Sequence, residues 1–292
     1  MENSSTSAPG AIKENLGQNF SQRFKAFAQG GRKLDPIFTE IATRLCDRLL
    51  DTKKTFALAV DIGAGRGSVG KSLPKSKVPD LLIEADFSAE VLKNNSSPCR
   101  LLANGEAILP FAPQTFDLVT SNLVLPWVRN VPRFLAQAGR ILKEDGLFLG
   151  NTLGAESFIE LQTAFFEAGS KTPHINPMPD VNTVGETFQS VGFALPVIDR
   201  DILTLEYGSF KDLWADMKAM GITNIHPRRN PGLTTPRLLE KAENIYREKF
   251  ALPGGNLPLT LEVIYLHGWR PHKSQQKPLP RGSGKVDFSE VL

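Results

Sequence analysis

The chain has 292 residues, 41% of them hydrophobic and 22% charged, with a formal net charge of +3. These values suit one large α/β domain with a sizeable core, and the charge makes no electrostatic case for nucleic acid. Cys46 and Cys99 are the only cysteines, with no CxxC pair and no Cys/His cluster at metal spacing, so neither a disulfide scaffold nor a structural metal site is expected; each reads as a buried thiol in a reducing compartment.

Residues 1–18 are polar and rich in Ser, Asn, Gly and Ala, which predicts disorder. They read as neither a secretory signal nor an Arg-rich transit peptide. No uninterrupted apolar run reaches membrane-spanning length, and the lack of a transit peptide leads to the expectation of a cytoplasmic protein of bacterial type. Residues 19–55 form an N-terminal helical segment. Asp35-Pro36 opens its helix, because proline is tolerated in a first turn. Ile37, Ile41, Leu45 and Leu49 make one apolar stripe, with Arg44, Asp47 and Arg48 facing elsewhere.

The period then changes. Phe56 to Val60 is a short apolar run ending in Asp61 and glycines, as a buried parallel strand would. Leu81-Leu82-Ile83 is a second strand, closed by Glu84 and Asp86, and Phe116 to Thr120 is a third. Val131 to Lys143 is helical and stops at Glu144-Asp145-Gly146, before a fourth strand at Leu147-Phe148-Leu149. Strands alternating with helices imply parallel βαβ units and a sheet covered on both faces. Glu156 to Ala168 reads as a helix, residues 171–179 as a Pro-punctuated loop, Thr204 to Tyr207 as a strand and Leu259 to Leu266 as the last one. Between those two, Ser209 caps one helix closed by Gly221, and Thr235-Pro236 opens another. Residues 209–255 are therefore expected to cap the open end of the sheet. In the tail, 270–292, Arg270, Lys273, Lys277, Arg281 and Lys285 come without an acidic residue up to Lys285. Such a run reads as a solvated tail or as a patch for an acidic partner.

The strongest signal is Val60-Asp61-Ile62-Gly63-Ala64-Gly65-Arg66-Gly67, between a strand and a helix. Glycines there allow unusual backbone angles and close approach of a ligand, the use made of them in dinucleotide loops. Asp61 points away from a dinucleotide, since a carboxylate would repel a pyrophosphate. S-adenosylmethionine carries an ammonium and a sulfonium instead, and a carboxylate attracts both, directly or through water. Asp86 stands about twenty residues beyond the glycines, where an acidic side chain grips ribose hydroxyls; Glu84 competes for that role, and Phe87 could pack on the adenine. Asn104 or Glu106 could meet the adenine amino group. Asn122 would lie after the third strand, where it could hold cofactor or acceptor. Trp127 reads chiefly as packing.

The segments AVDIGAGRG, EADFSAEVL, FDLVTSNLVLPWV and RILKEDGLFLGNTL resemble, in order, the motifs of class I S-adenosylmethionine-dependent methyltransferases. They are similar in particular to the malonyl-carrier-protein methyltransferases of biotin synthesis and to the methyltransferase-like assembly factors of mitochondrial complex I. The latter likeness covers roughly residues 36–290, including Pro173-His174-Ile175, Gly268-Trp269 and the tail. The resemblance implies a Rossmann-like, mostly parallel seven-stranded sheet with helices on both faces and a helical cap insertion, the methyltransferase domain spanning 56–269. It implies S-adenosylmethionine bound by Asp61, Gly63, Ala64, Gly65, Gly67 and Asp86. It implies as acceptor a small molecule or carrier protein, or else a respiratory complex I subunit whose arginine is hydroxylated, which could bring the protein to the inner membrane. A non-catalytic module that binds the cofactor is a third reading.

No convincing catalytic constellation is present: His174, His226, His267 and His272 each stand alone. Methyl transfer needs chiefly alignment and exclusion of water, and a carboxylate acceptor needs no base. Arg228 and Arg229, in the cap, are candidates to engage an anionic acceptor.

Overall fold

The computed structural model describes residues 34–276 apart from 94, 96, 106 and 222–233. The expectations placed on residues 1–33, on Glu106, His226, Arg228 and Arg229, and on the tail beyond 276 lie outside the described residues.

The first half alternates as its hydrophobic periods require. Helix α1 (Asp35–Asp47) leads to strand β1 (Leu58–Ile62) and the short α2 (Ser68–Ser72). Then come β2 (Leu81–Asp86), α3 (Ala89–Leu92), β3 (Cys99–Leu102), β4 (Phe116–Ser121), α4 (Val131–Ile141) and β5 (Leu142–Leu153). The second half adds α5 (Ile159–Glu167), α6 (Val181–Ser190), β6 (Ala194–Tyr207), α7 (Phe210–Ala219), α8 (Pro236–Phe250) and β7 (Leu257–Trp269). The seven strands lie in the order β3-β2-β1-β4-β5-β7-β6. Neighbours from β3 to β5 pair in parallel, whereas β7 runs antiparallel to both β5 and β6.

Successive strand residues point to opposite faces, and both faces are buried. Ala59, Leu118, Leu147 and Leu149 pack under Ile41, Leu45, Leu161, Leu213 and Tyr246 from α1, α5, α7 and α8. Val60, Val119 and Phe148 pack under Phe134, Leu135, Ala138 and Phe188 from α4 and α6. The α1 stripe is realised with Ile41, Leu45 and Leu49 fully buried and Ile37 half-buried. The starts of α4, α6, α7 and α8 carry side-chain caps that satisfy otherwise orphaned amides: Asn130 accepts from Arg133 N, Asp180 from Thr183 N, Ser209 from Asp212 N and Thr235 from Leu238 N.

Strand β3 was not expected, and β5 begins at Leu142, where the sequence expectation has helix to Lys143 and a turn at 144–146; three further features differ. Strand β6 begins at Ala194 rather than Thr204, because this edge strand is largely exposed and carries Asp199, Arg200 and Asp201 in place of an apolar run. Cys99 is only half-buried, at the start of β3 near the other edge. Arg270 is not part of a free basic tail: its Nη1 donates to the carbonyls of Gly139 at 2.5 Å and of Arg140 and Leu142 at 3.0 Å, satisfying the C-terminal end of α4. Gln275 follows it back, donating to Asp145 Oδ1 at 2.9 Å. Arg270→Ala should therefore cost about 2 kcal/mol of unfolding free energy in urea; stability within error of wild type would contradict this capping role.

Candidate active site

At the end of β1 the chain reverses through Gly63, Gly65 and Gly67, at φ 74°, 53° and 72°, where a Cβ is strained. Space closes in as well: a Cβ on Gly63 would lie 2.2 Å from Val124 Cγ2, and one on Gly67 2.7 Å from Glu84 Oε1. The amides of Gly63 and Ala64 donate to the Ala85 carbonyl at 2.7 and 3.0 Å, and Gly65 N donates to Asp86 Oδ2 at 2.9 Å. The loop is thereby laid against the end of β2.

Three buried carboxylates surround this loop: Asp61 on β1, opposite Glu84 on β2, and Asp86 at the end of β2. Asp61 Oδ1 accepts from Thr120 Oγ1 at 2.8 Å, while its Oδ2 has no partner among the described residues. Burial pushes the Asp61 carboxyl up to about 7; the Thr120 hydrogen bond opposes this, and the charges of Glu84 and Asp86 add to it. Burial also raises Asp86, against the pull of the Ser88 and Gly65 amides, and raises Glu84. Glu84 packs behind Gly67 and Gly70 rather than towards the ligand side, which leaves Asp86 as the acidic group of β2 on the cavity wall.

A cavity runs along the C-terminal ends of the parallel strands. On the β2–β3 side it is lined by Asp86, Phe87, Ala103, Asn104 and Gly105; in the middle by Gly63, Ala64, Gly65 and Asn122; on the β5–β7 side by Leu123, Trp127, Leu153, Met220 and Leu261. Ile37, Phe38, Thr39 and Ile41 of α1 form a further wall. Asp61 and Gly67 stand behind the loop and do not line the cavity. Asn122 Nδ2 donates to the Phe38 carbonyl at 3.3 Å and to Ser68 Oγ at 3.2 Å. Among the described residues no His, Cys or Tyr lines the cavity; its ionisable walls are Asp35, Arg66, Lys71 and Asp86, with Arg66 3.4 Å from Asp35.

The contribution of α1, Leu153, Met220 and Leu261 was not apparent from the sequence, because a wall residue and a core residue share the same apolar pattern. Trp127 lines the cavity as well as packing on the core.

This chemistry fits a cationic cofactor. Among the described residues no cation acts on Asp61, one of its oxygens has no partner, and the glycine turn that follows it has no room for a Cβ at Gly63 or Gly67. A pyrophosphate brought to that loop would meet the buried Asp61 carboxylate, whereas an ammonium or sulfonium would relieve it.

Comparison with known proteins agrees. Residues 60–150 match the family described as "Methyltransferase domain". The chain is 34% identical over 267 residues to the mitochondrial arginine-hydroxylase NDUFAF5 of Danio rerio, covering 89% of this chain and 83% of that protein. It is 32% identical over 267 residues to the malonyl-[acyl-carrier protein] O-methyltransferase of Gallionella capsiferriformans, covering 86% and 89%. Among solved structures it is similar to a candidate methyltransferase of Bacillus halodurans, with a TM-score of 0.55 at 17% identity over 79% of this chain and 99% of that one, a likeness of fold.

The Asp61 environment has a pH consequence. Its carboxyl is near 7 when folded and near the ordinary 3.8 when unfolded, so the folded state holds the proton more tightly. The stability this gives is complete below about pH 4 and is lost as pH rises towards 7. Asp61→Asn does not titrate. Without ligand, it should gain roughly 2–3 kcal/mol relative to wild type between about pH 5 and pH 8. Urea unfolding at both pH values measures this, and a pH-independent difference contradicts the buried, unpaired carboxylate.

Proposed function

Since the chain belongs to the S-adenosylmethionine-dependent methyltransferases and takes S-adenosylmethionine as its cofactor, we propose that it methylates a carboxylate. The acceptor is a small acid or the free end of an acyl group held on a carrier protein. The observation that carries this reading is the cavity wall itself: its β5–β7 side is apolar, and no His, Cys or Tyr lines it among the described residues. A carboxylate has no proton to lose, so the chain needs to align it and exclude water rather than supply a base. The named activity of the Gallionella relative, methylation of malonyl-[acyl-carrier protein], is of this kind.

In this reading Gly63, Ala64 and Gly65 let the amino-acid end of the cofactor approach the backbone, and Asp61 supplies countercharge from beneath them. Asp86 holds the ribose hydroxyls, Phe87 packs on the adenine, and Asn104 or Glu106 meets its amino group. When bound, the cofactor supplies a methyl group on a sulfonium, a leaving group that needs no acid. Phe38, Trp127 and Met220 keep water from the acceptor and Asn122 lines the wall beside it, while the cationic pair Arg228 and Arg229 orients it. Among the described residues no helix is long and apolar enough to cross a membrane.

A second reading comes from the identity to NDUFAF5, which is 35% for the Homo sapiens protein, but that likeness does not favour it over methylation: the target would be a protein arginine in a respiratory complex I subunit, reached through a partner at the inner membrane. A cofactor-binding module without turnover would be a third.

Malonyl-carrier protein incubated with the chain and S-adenosylmethionine should become heavier by one methyl group in mass spectrometry. No methylation, with cofactor binding intact, would overturn the carrier-protein acceptor and turn attention to arginine targets. Arg228→Ala with Arg229→Ala should raise the acceptor KM on the order of tenfold, the worth of a charge-assisted hydrogen bond, and leave cofactor affinity alone; loss of cofactor affinity would place them elsewhere.

A further inference from the structure

The turn after β4 is one that its own sequence disfavours. Leu123 sits at φ 55°, in the left-handed region that is costly for a residue with a branched side chain. Its amide donates to Oδ1 of Asn151 at 2.6 Å. Asn151 lies within β5, is fully buried and does not line the cavity. The other half of the same amide, Nδ2, donates to Asn122 Oδ1 at 2.8 Å. An amide inside an apolar strand must use its donor and its acceptor, and Asn151 uses both on this one turn. Asn122, so oriented, donates onward to Phe38 on α1 and Ser68 on α2. The next residue, Val124, rests its side chain where a Cβ of Gly63 would be.

We propose that Asn151 is a positioning residue: by holding Leu123 in the left-handed turn it seats Val124 against Gly63 and orients the Asn122 amide, so that the acceptor-side wall and the cofactor loop share one arrangement. The inference rests on the reading of this cavity as the S-adenosylmethionine site. Backbone strain of this kind persists where the surroundings over-determine it, and here the determinant is one buried side chain on a strand that contributes none of the loop.

The test is a calorimetric titration of S-adenosylmethionine into the full-length wild type, Asn151→Ala, and Asn151→Ala combined with Leu123→Gly, with thermal unfolding of each. Asn151→Ala should weaken binding roughly tenfold, the equivalent of one unsupported left-handed residue. Leu123→Gly in that background should recover most of the loss, because glycine adopts positive φ without a partner to hold it. Wild-type affinity in folded Asn151→Ala, or no recovery by the glycine, would overturn the proposal, since a residue that merely fills the core would not be rescued by a backbone change at Leu123. If Asn151→Ala does not fold, Asn151→Ser with and without Leu123→Gly makes the same comparison. A wild type that binds no S-adenosylmethionine would instead overturn the reading of the site, and the inference with it.

Discussion

The site depends on the chain turning at the end of β1 through a space that admits no side chain at Gly63 or Gly67. Gly63, Gly65 and Gly67 all take positive φ, and Val124 and Glu84 occupy the places where a Cβ on Gly63 or Gly67 would go. Because β2 and β4 lie on opposite sides of β1, the connections leave the sheet in opposite directions at this point. A crevice opens at the carboxyl ends of the strands, as at other switch points of open α/β sheets. The glycine turn forms the floor of that crevice, and α1 and the turn after β4 close over it.

Electrostatics then decides which ligand the crevice favours. Asp61, Glu84 and Asp86 are all buried, and burial raises each of them. Leaving a carboxylate buried without a countercharge is costly, and in Asp61 one oxygen stays unpartnered among the described residues. That cost is relieved by a ligand that brings positive charge.

How much of this was legible in the sequence differs by residue. The glycine turn, Asp61 and Asp86 were legible because their positions relative to strand ends carry meaning. The helices α1, α4, α7 and α8 were legible from their periods and their start signals, a proline in the first turn of α1 and the capping residues Ser209 and Thr235 of α7 and α8. Strand β3 was not, since Cys99-Arg100-Leu101-Leu102 is too short to show alternation, and β6 was not beyond its last residues, since an exposed edge strand lacks an apolar run. Glu84 could be told from Asp86 only by the direction in which each packs. Asn151 was legible only as an oddity, a lone amide in the run Leu147 to Leu153, because its partners Asn122 and Leu123 are nearly thirty residues away.

The central claim is that this crevice selects a sulfonium cofactor over a dinucleotide through its buried carboxylates. The most direct measurement is a paired calorimetric titration of S-adenosylmethionine and of NADH into the full-length chain under the same conditions. The account predicts one S-adenosylmethionine bound per chain and no heat of binding from NADH. Binding of NADH, or none of S-adenosylmethionine, would contradict it.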